Sequence, residues 1–244
     1  GADYFGGLID ELAVWNATLD SNDISDIYNG GILTDLTQPA SYNTDRTSNL
    51  INYWRMGDND GGTGTTITDQ GSGGNNGTLI NTASPNGIVT DAPLINQYSV
   101  SFDGTDDYID LGTSSSLNPS SALTISVWIY INGAGTGSLP TIYSSSKNSD
   151  GTSGGIAIAY TSNKIRLYLD TTGSSNWVYA ETDSSPNIGQ WYHVLGTWNG
   201  STVTLYVNGN AQTTTATCLT SYLIPALPHI QASQQLLSCK YCNA

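Results

Sequence analysis

Alternation of apolar residues constrains the fold of this chain more than any other feature. Apolar side chains fall on every second position in three segments: Leu123, Ile125, Val127, Ile129 and Ile131; Ile165, Leu167 and Leu169; Val203, Leu205 and Val207. A period of two places such residues on one face of a β-strand. The third segment follows Asn199-Gly200, a dipeptide typical of tight hairpin turns. The sequence therefore predicts antiparallel strands, each with one buried face.

Helical periodicity is confined to Ser21 to Tyr28. Asp20 or Ser21 can cap its N-terminus, and Ile24 and Ile27 lie on one side. Strand signals at the observed spacing elsewhere favour two packed sheets. We therefore predict an all-β fold class, a two-sheet antiparallel jelly-roll sandwich with one short helix near the N-terminus.

The charge balance excludes several classes of partner. The 244 residues carry a net charge of −14, and 18 of the 20 acidic residues are aspartate. Phosphate backbones and anionic membranes repel such a surface, so we expect neither nucleic acid nor a membrane as partner. No apolar run reaches 18 residues, so no transmembrane helix is predicted.

Four segments carry a resemblance to a known family. They read GGLIDELAVWNATLDSNDISDIYNGG (6–31), NLINYWRMGDNDGGTGTTITDQGSGGNNGTL (49–79), YSVSFDGTDDYIDLG (98–112) and WYHVLGTWNGSTVTLYVNG (191–209). The first resembles the closing segment of bacterial laminin G-like jelly-roll modules, and the second and third resemble their opening segments. These modules belong to the concanavalin A-like lectin/glucanase superfamily and commonly occur in tandem. The resemblance implies that the chain is a fragment of a tandem repeat.

A division of the chain follows from this resemblance. Residues 1–31 are predicted to be the closing strand and short helix of a preceding laminin G-like repeat, and residues 32–48 a linker. Residues 49–217 are predicted to form a laminin G-like domain that lacks its usual closing strand. The spare N-terminal strand is predicted to complete this sandwich, either within the chain or by strand exchange with a neighbouring repeat or second chain, because an unpaired edge exposes backbone donors and acceptors.

The last segment, residues 218–244, is atypical. No Gly, Asp or Glu occurs after residue 209, although the first 209 residues hold all 27 glycines and all 20 acidic residues. The resemblance implies further glycine-punctuated strands here. We interpret the segment as a frameshifted end, with a genuine divergent tail as the alternative.

Hydrolytic chemistry is not predicted. Glycoside hydrolysis needs two carboxyl groups at a suitable separation, and glucanases on related jelly rolls carry an E-x-D-x-E strand that is absent here. The adjacent pair Asp10 and Glu11 is expected on opposite faces of a strand. His193 lies mid-strand, where a packed or hydrogen-bonded role is favoured over that of a general base. We therefore predict that the protein is not an enzyme.

An acidic turn is the candidate cofactor site. It contains Asp103, Asp106, Asp107 and Asp110. Calcium takes six to eight oxygen ligands, and the resemblance implies calcium near a sheet rim. The alternative is that these aspartates cap backbone amides in a turn between strands.

Carbohydrate binding needs an exposed aromatic ring beside planar polar groups. The candidates for such a platform are Trp177, Tyr179, Tyr143 and Tyr160. The alternative for Trp177 is packing in the core, which is favoured for the tryptophans within the strand patterns.

The resemblance implies a non-catalytic recognition module that is carbohydrate-binding or adhesive. Its partner would be a glycan or a cell-surface or matrix ligand, and its place a larger protein that is extracellular or on a cell or virion surface. One alternative is a structural spacer repeat with no glycan ligand. Another is a glycoside hydrolase, for which the sequence offers no convincing carboxylate pair.

Overall fold

The computed structural model describes residues 3–217 apart from 83–86, 94–95, 118, 120, 134, 146–154 and 171–176. Strands in this part of the chain are β1 (Gly6–Trp15), β2 (Leu50–Trp54), β3 (Thr66–Ile67), β4 (Gly77–Ile80), β5 (Ile88–Val89), β6 (Ser99–Asp103), β7 (Tyr108–Asp110), β8 (Leu123–Ile131), β9 (Thr141–Ser144), β10 (Gly155–Thr161), β11 (Lys164–Asp170), β12 (Val178–Glu181), β13 (Trp191–Trp198), β14 (Thr202–Val207), β15 (Asn210–Ala211) and β16 (Ala216–Thr217). The α-helix is α1 (Ser21–Tyr28), and short 3-10 turns span Asn29–Gly31, Pro39–Ser41, Thr47–Asn49 and Ser115–Leu117.

The strands form antiparallel sheets, as predicted. The largest has the order β15-β14-β13-β8-β1-β6-β5, with β16 also on β14 and β2 also on β1. A four-stranded sheet has the order β12-β11-β10-β9, and a small third sheet the order β3-β4-β7. The predicted all-β jelly-roll sandwich with one short helix is confirmed, and the third sheet is an addition to it.

The core lies where the predicted apolar faces meet. Ile125, Val127 and Ile129 of β8 pack in one cluster with Ile158 of β10 and Leu167 of β11. Residues of the small third sheet join the same cluster: Ile67, Leu79 and Ile109. Burial of these side chains is the main source of stability, at about 25 cal/mol per Å² of apolar surface.

Strand β1 occupies the middle of the large sheet. Ile9 pairs with Val100 of β6 on one side and with Ile129 of β8 on the other. Leu12 pairs with Trp54 of β2. In the structure, the N-terminal strand therefore completes the sandwich of its own chain, which is one of the two arrangements predicted. The assignment of residues 1–31 to a preceding repeat stays a prediction.

The outer face of the large sheet is covered by the chain that follows β1. Asp20 caps α1 by accepting hydrogen bonds from the amides of Asn22 and Asp23, and Asn29 ends the helix in the left-handed conformation with φ 43°. Residues 32–48, predicted to be a linker, contribute Leu36 and Tyr42 to a second buried cluster. That cluster also contains Ile24 and Ile27 of α1 and Trp15 and Leu195 of the sheet.

The atypical segment 218–244 lies outside the described residues, so the frameshift interpretation stays a prediction. Among the helices that the structure describes, none combines the length and the apolar character needed to cross a membrane.

Candidate functional site

A bulge in β1 brings two carboxylates to one side of the strand. The pairing of β1 with β8 shifts between Asp10 and Ala13, and Glu11 has φ 49°. A bulge adds a residue to one strand and breaks the alternation of side chains. The side-chain amide of Asn96 consequently donates to both Asp10 (2.9 Å) and Glu11 (2.5 Å). The prediction that Asp10 and Glu11 point to opposite faces is therefore wrong, because it assumed an unbroken strand.

Other donors complete a buried network around these acids. Arg55 Nε donates to Glu11 Oε1 at 2.9 Å, and the Tyr53 hydroxyl donates to Glu11 Oε2. Asp10 Oδ1 accepts the Glu11 amide at 2.8 Å. Asp10 and Glu11 are 0% and 3% exposed. Asp58 lies close by, with a carboxyl oxygen within 4.8 Å of one from each of these two residues.

Burial in this network favours carboxyl groups of Asp10 and Glu11 that are either protonated or paired with a positive charge. Burial, with the charge of Glu11 beside it, holds the pKa of Asp10 well above its ordinary value. Burial also raises the pKa of Glu11, and the positive charge of Arg55 offsets part of that rise. N–H and O–H donors occupy the carboxyl oxygens of both residues. The network therefore joins β1 to β2 and to the chain at Asn96 rather than lining an open cleft.

The predicted acidic turn between β6 and β7 brings three of its four aspartates together. Oxygens of Asp103, Asp106 and Asp107 lie within 4.8 Å of one another. Asp107 accepts the Asp103 amide at 2.8 Å, and Asp103 accepts the Thr105 amide at 2.6 Å. Burial raises the pKa of Asp107, and the charges of Asp103 and Asp106 add to the rise. The turn thus has the amide-capping bonds of the alternative interpretation, together with a concentration of negative charge.

Asp110 stands apart from that group. Its Oδ1 accepts the amide of Gly112 at 2.8 Å. It belongs to β7, whereas Asp103 ends β6, and Asp106 and Asp107 lie in the turn before β7. The structure therefore separates Asp110 from the three-residue group.

The four aromatic candidates occupy different places. Tyr143 and Tyr160 are 2% and 4% exposed and belong to the main core, so neither ring offers the exposed face that was expected. Trp177 is 6% exposed and packs with Tyr168 and Ala157 in a third buried cluster. Tyr179 is half-buried at the margin of that cluster. Of the predicted platform, Tyr179 alone keeps substantial exposure.

Tyr179 lies within an ordered group on the outer face of the four-stranded sheet. Two rows cross the strands, Ala159–Arg166–Glu181 and Ala157–Tyr168–Tyr179. Because directly paired residues share a sheet face, these side chains lie opposite the core-facing isoleucines and leucines. We call the group of Arg166, Tyr168, Tyr179 and Glu181 the tyrosine–arginine face.

Contacts fix the geometry of the tyrosine–arginine face. Arg166 Nε donates to Glu181 Oε2 at 2.7 Å, and the two side chains are 20% and 23% exposed. The Arg166 guanidinium carbon lies 4.7 Å from the centroid of the Tyr179 ring. The rings of Tyr168 and Tyr179 have centroids 5.4 Å apart and are tilted by 51°. The face thus presents a cation, an anion and phenol groups within one small area.

Sequence reasoning missed three members of this face. The alternation in β11 already placed Arg166 and Tyr168 opposite the apolar residues, which was the available signal. Glu181 had no such signal, because its pairing with Arg166 depends on the register of β12.

His193 has the hydrogen-bonded role that its position favoured. Its Nε2 lies 2.7 Å from the Ser126 hydroxyl, and its ring stacks on Tyr28 at 5.9 Å. Burial lowers its pKa to about 3, so the imidazole is neutral at physiological pH. With 1% of its surface exposed, the pair has no access to a substrate.

Comparison with known families identifies the fold family of the chain. A laminin G family model, described as "Concanavalin A-like lectin/glucanases superfamily", matches residues 103–226, just over half of the chain. Comparison with curated proteins finds no match. Domains of the matched family are lectin-like or adhesive modules in general and are generally non-catalytic.

Proposed function

Because the chain belongs to the laminin G-like family of the concanavalin A-like lectin/glucanases superfamily, we propose that it is a non-catalytic recognition module that binds carbohydrate. The tyrosine–arginine face is the proposed site. The observation that carries this proposal is the juxtaposition of the Tyr179 ring with the Arg166–Glu181 ion pair on the outer face of the four-stranded sheet.

The chemistry of sugars fits such a surface. A pyranose ring has an apolar C–H face, which packs on an aromatic ring, and hydroxyls that both donate and accept hydrogen bonds. Arg166 supplies donors and Glu181 supplies acceptors beside the Tyr179 ring. These three side chains remain partly hydrated, so a ligand can reach them.

The opposite side of the sandwich is less suited to a ligand. There the outer face of the large sheet is covered by α1 and residues 32–48, and Ile24, Leu36 and Tyr42 are buried against it. This difference between the two outer faces favours the four-stranded sheet as the recognition surface.

Calcium is the cofactor that we propose for the turn of Asp103, Asp106 and Asp107. Each carboxylate has more acceptor capacity than the amide bonds use, and a divalent cation would relieve the mutual repulsion that contributes to the raised pKa of Asp107. We further propose a location outside the cell or on a cell or virion surface, within a larger protein. Support for this location is the family membership and the acidic composition, with its net charge of −14.

A glycan array on the full chain tests the proposal. The wild type is compared with Tyr179→Ala, Tyr179→Phe and Tyr108→Ala, where Tyr108 is a half-buried tyrosine of the small third sheet. We expect Tyr179→Ala to lower affinity at least about tenfold and the other two variants to retain it, because each retains a ring at position 179. Melting curves show that all proteins are folded.

The other outcomes separate the alternatives. Equal affinity of the wild type and Tyr179→Ala for a glycan would show that the glycan binds at a surface other than the tyrosine–arginine face. Silence of the folded wild type on every glycan would favour the structural spacer. Repeating the array in EDTA tests whether glycan binding requires calcium. Unchanged binding in EDTA would show that it does not.

A further inference from the structure

A small cavity lies between the outer face of the large sheet and the chain that follows α1. It has about 10 Å³ of space for the centre of a water molecule. Its polar lining comes from Glu11, Thr34, Ser126 and His193, and the remaining walls are apolar, with Leu36 and Trp128 among them. This volume matches a single water molecule and leaves no room for a larger ligand.

Two buried polar atoms, each on a residue that lines the cavity, have no hydrogen-bond partner within the part of the chain that the structure describes. They are Thr34 Oγ1 and His193 Nδ1, and both are shielded from solvent. The other ring nitrogen of His193 already contacts the Ser126 hydroxyl. Buried polar atoms without partners destabilise a fold, and the great majority in native proteins are paired with protein or ordered water.

We propose that one water molecule binds in this cavity and bridges His193 Nδ1 to Thr34 Oγ1. A buried water typically makes about three hydrogen bonds, and Glu11 and Ser126 also line the cavity. A water can donate or accept, so it serves either tautomer of the neutral imidazole. The water would connect residue 34, beyond α1, to β13 in the sheet.

A high-resolution crystal structure of the full chain is the direct test. We expect an ordered water at about 2.7–3.2 Å from both His193 Nδ1 and Thr34 Oγ1. Absence of density in the cavity while its walls are well ordered would overturn the proposal. A direct hydrogen bond between Thr34 and His193 would overturn it too.

Two substitutions give a second readout. Thr34→Ser keeps the hydroxyl, whereas Thr34→Val keeps the shape and removes the hydrogen-bonding atom. We expect Thr34→Val to melt about 3 °C below the wild type, with which it is isosteric; this is the shift typical of losing one buried hydrogen bond in a chain of this size. Equal melting temperatures would show that the hydroxyl has no buried partner and would contradict the bridge.

Discussion

Lowering the pH from 7 to 4 is expected to lower the free energy of unfolding by about 3 kcal/mol through the titration of His193 alone. Burial lowers the pKa of this imidazole from 6.5 to about 3. Between these values the unfolded chain binds a proton and the folded chain does not. The stability contributed by the neutral imidazole is therefore fully present above pH 6.5 and is lost as the pH falls toward 3. At pH 4 about 2.5 pH units of this window have been crossed, each worth about 1.36 kcal/mol.

Comparison with His193→Gln isolates this contribution. Glutamine fills a similar space with an amide that does not titrate. Urea unfolding followed by tryptophan fluorescence gives the free energy of unfolding of both proteins at pH 7 and pH 4. We expect the wild type to lose about 3 kcal/mol more than the variant. The carboxylates, including Asp10 with its raised pKa, and the second histidine, His229, are present in both proteins and cancel in the difference.

Equal losses in the two proteins would refute the reasoning. They would mean that His193 binds a proton in the folded state with an ordinary pKa. An NMR titration of the ring would then show a midpoint near 6.5, in conflict with its burial.

Three further substitutions test other contacts. Arg55→Met is expected to lower the free energy of unfolding by about 3 kcal/mol, because it leaves the Glu11 carboxylate buried without its cation; denaturant unfolding that matches the wild type would contradict this. Gly196→Ala places a Cβ 2.4 Å from a methyl carbon of Leu167 and should lower the free energy of unfolding, measured by thermal unfolding, by about 1–3 kcal/mol. Adding Leu167→Ala should relieve this clash, so the double variant should lose less than the sum of the two single losses. Additive losses would contradict the clash. Asp20→Ala should cost about 1 kcal/mol through the lost helix cap, whereas Asp20→Ser should retain stability, and the two variants are compared by circular dichroism melting.

The strands were predictable where the signal is local. Alternation over Leu123–Ile131 and over 165–169 predicted β8 and β11, because a period of two needs only neighbouring residues to be read. The same rule placed Tyr160 on the face of Ile156 and Ile158, and following it would have put that tyrosine in the core. The prediction that Tyr160 belongs to a sugar-binding platform rested on its aromatic ring and not on this alternation.

The carboxylate network was not predictable from the same signals. Its geometry depends on the left-handed backbone of Glu11, which local propensity disfavours for a residue other than glycine, asparagine or aspartate. Its partners Arg55 and Asn96 lie roughly 40 and 85 residues further along the chain, and no periodic pattern reports contacts at such separations. The bulge at Glu11 and its contacts with Arg55 and Asn96 stabilise each other, and they form only once the sheet has folded.

The central position of β1 has a consequence for how the protein is made. Ile9 leaves the ribosome well before its two neighbours in the sheet, Val100 and Ile129, which follow roughly 90 and 120 residues later. Closing such long loops costs chain entropy before any pairing repays it, so folding of this topology is expected to be slow. During synthesis β1 must wait without these sheet neighbours until β6 and β8 have emerged. A chaperone that shields residues 6–15 for that interval would therefore raise the yield of folded protein more than one that acts after release.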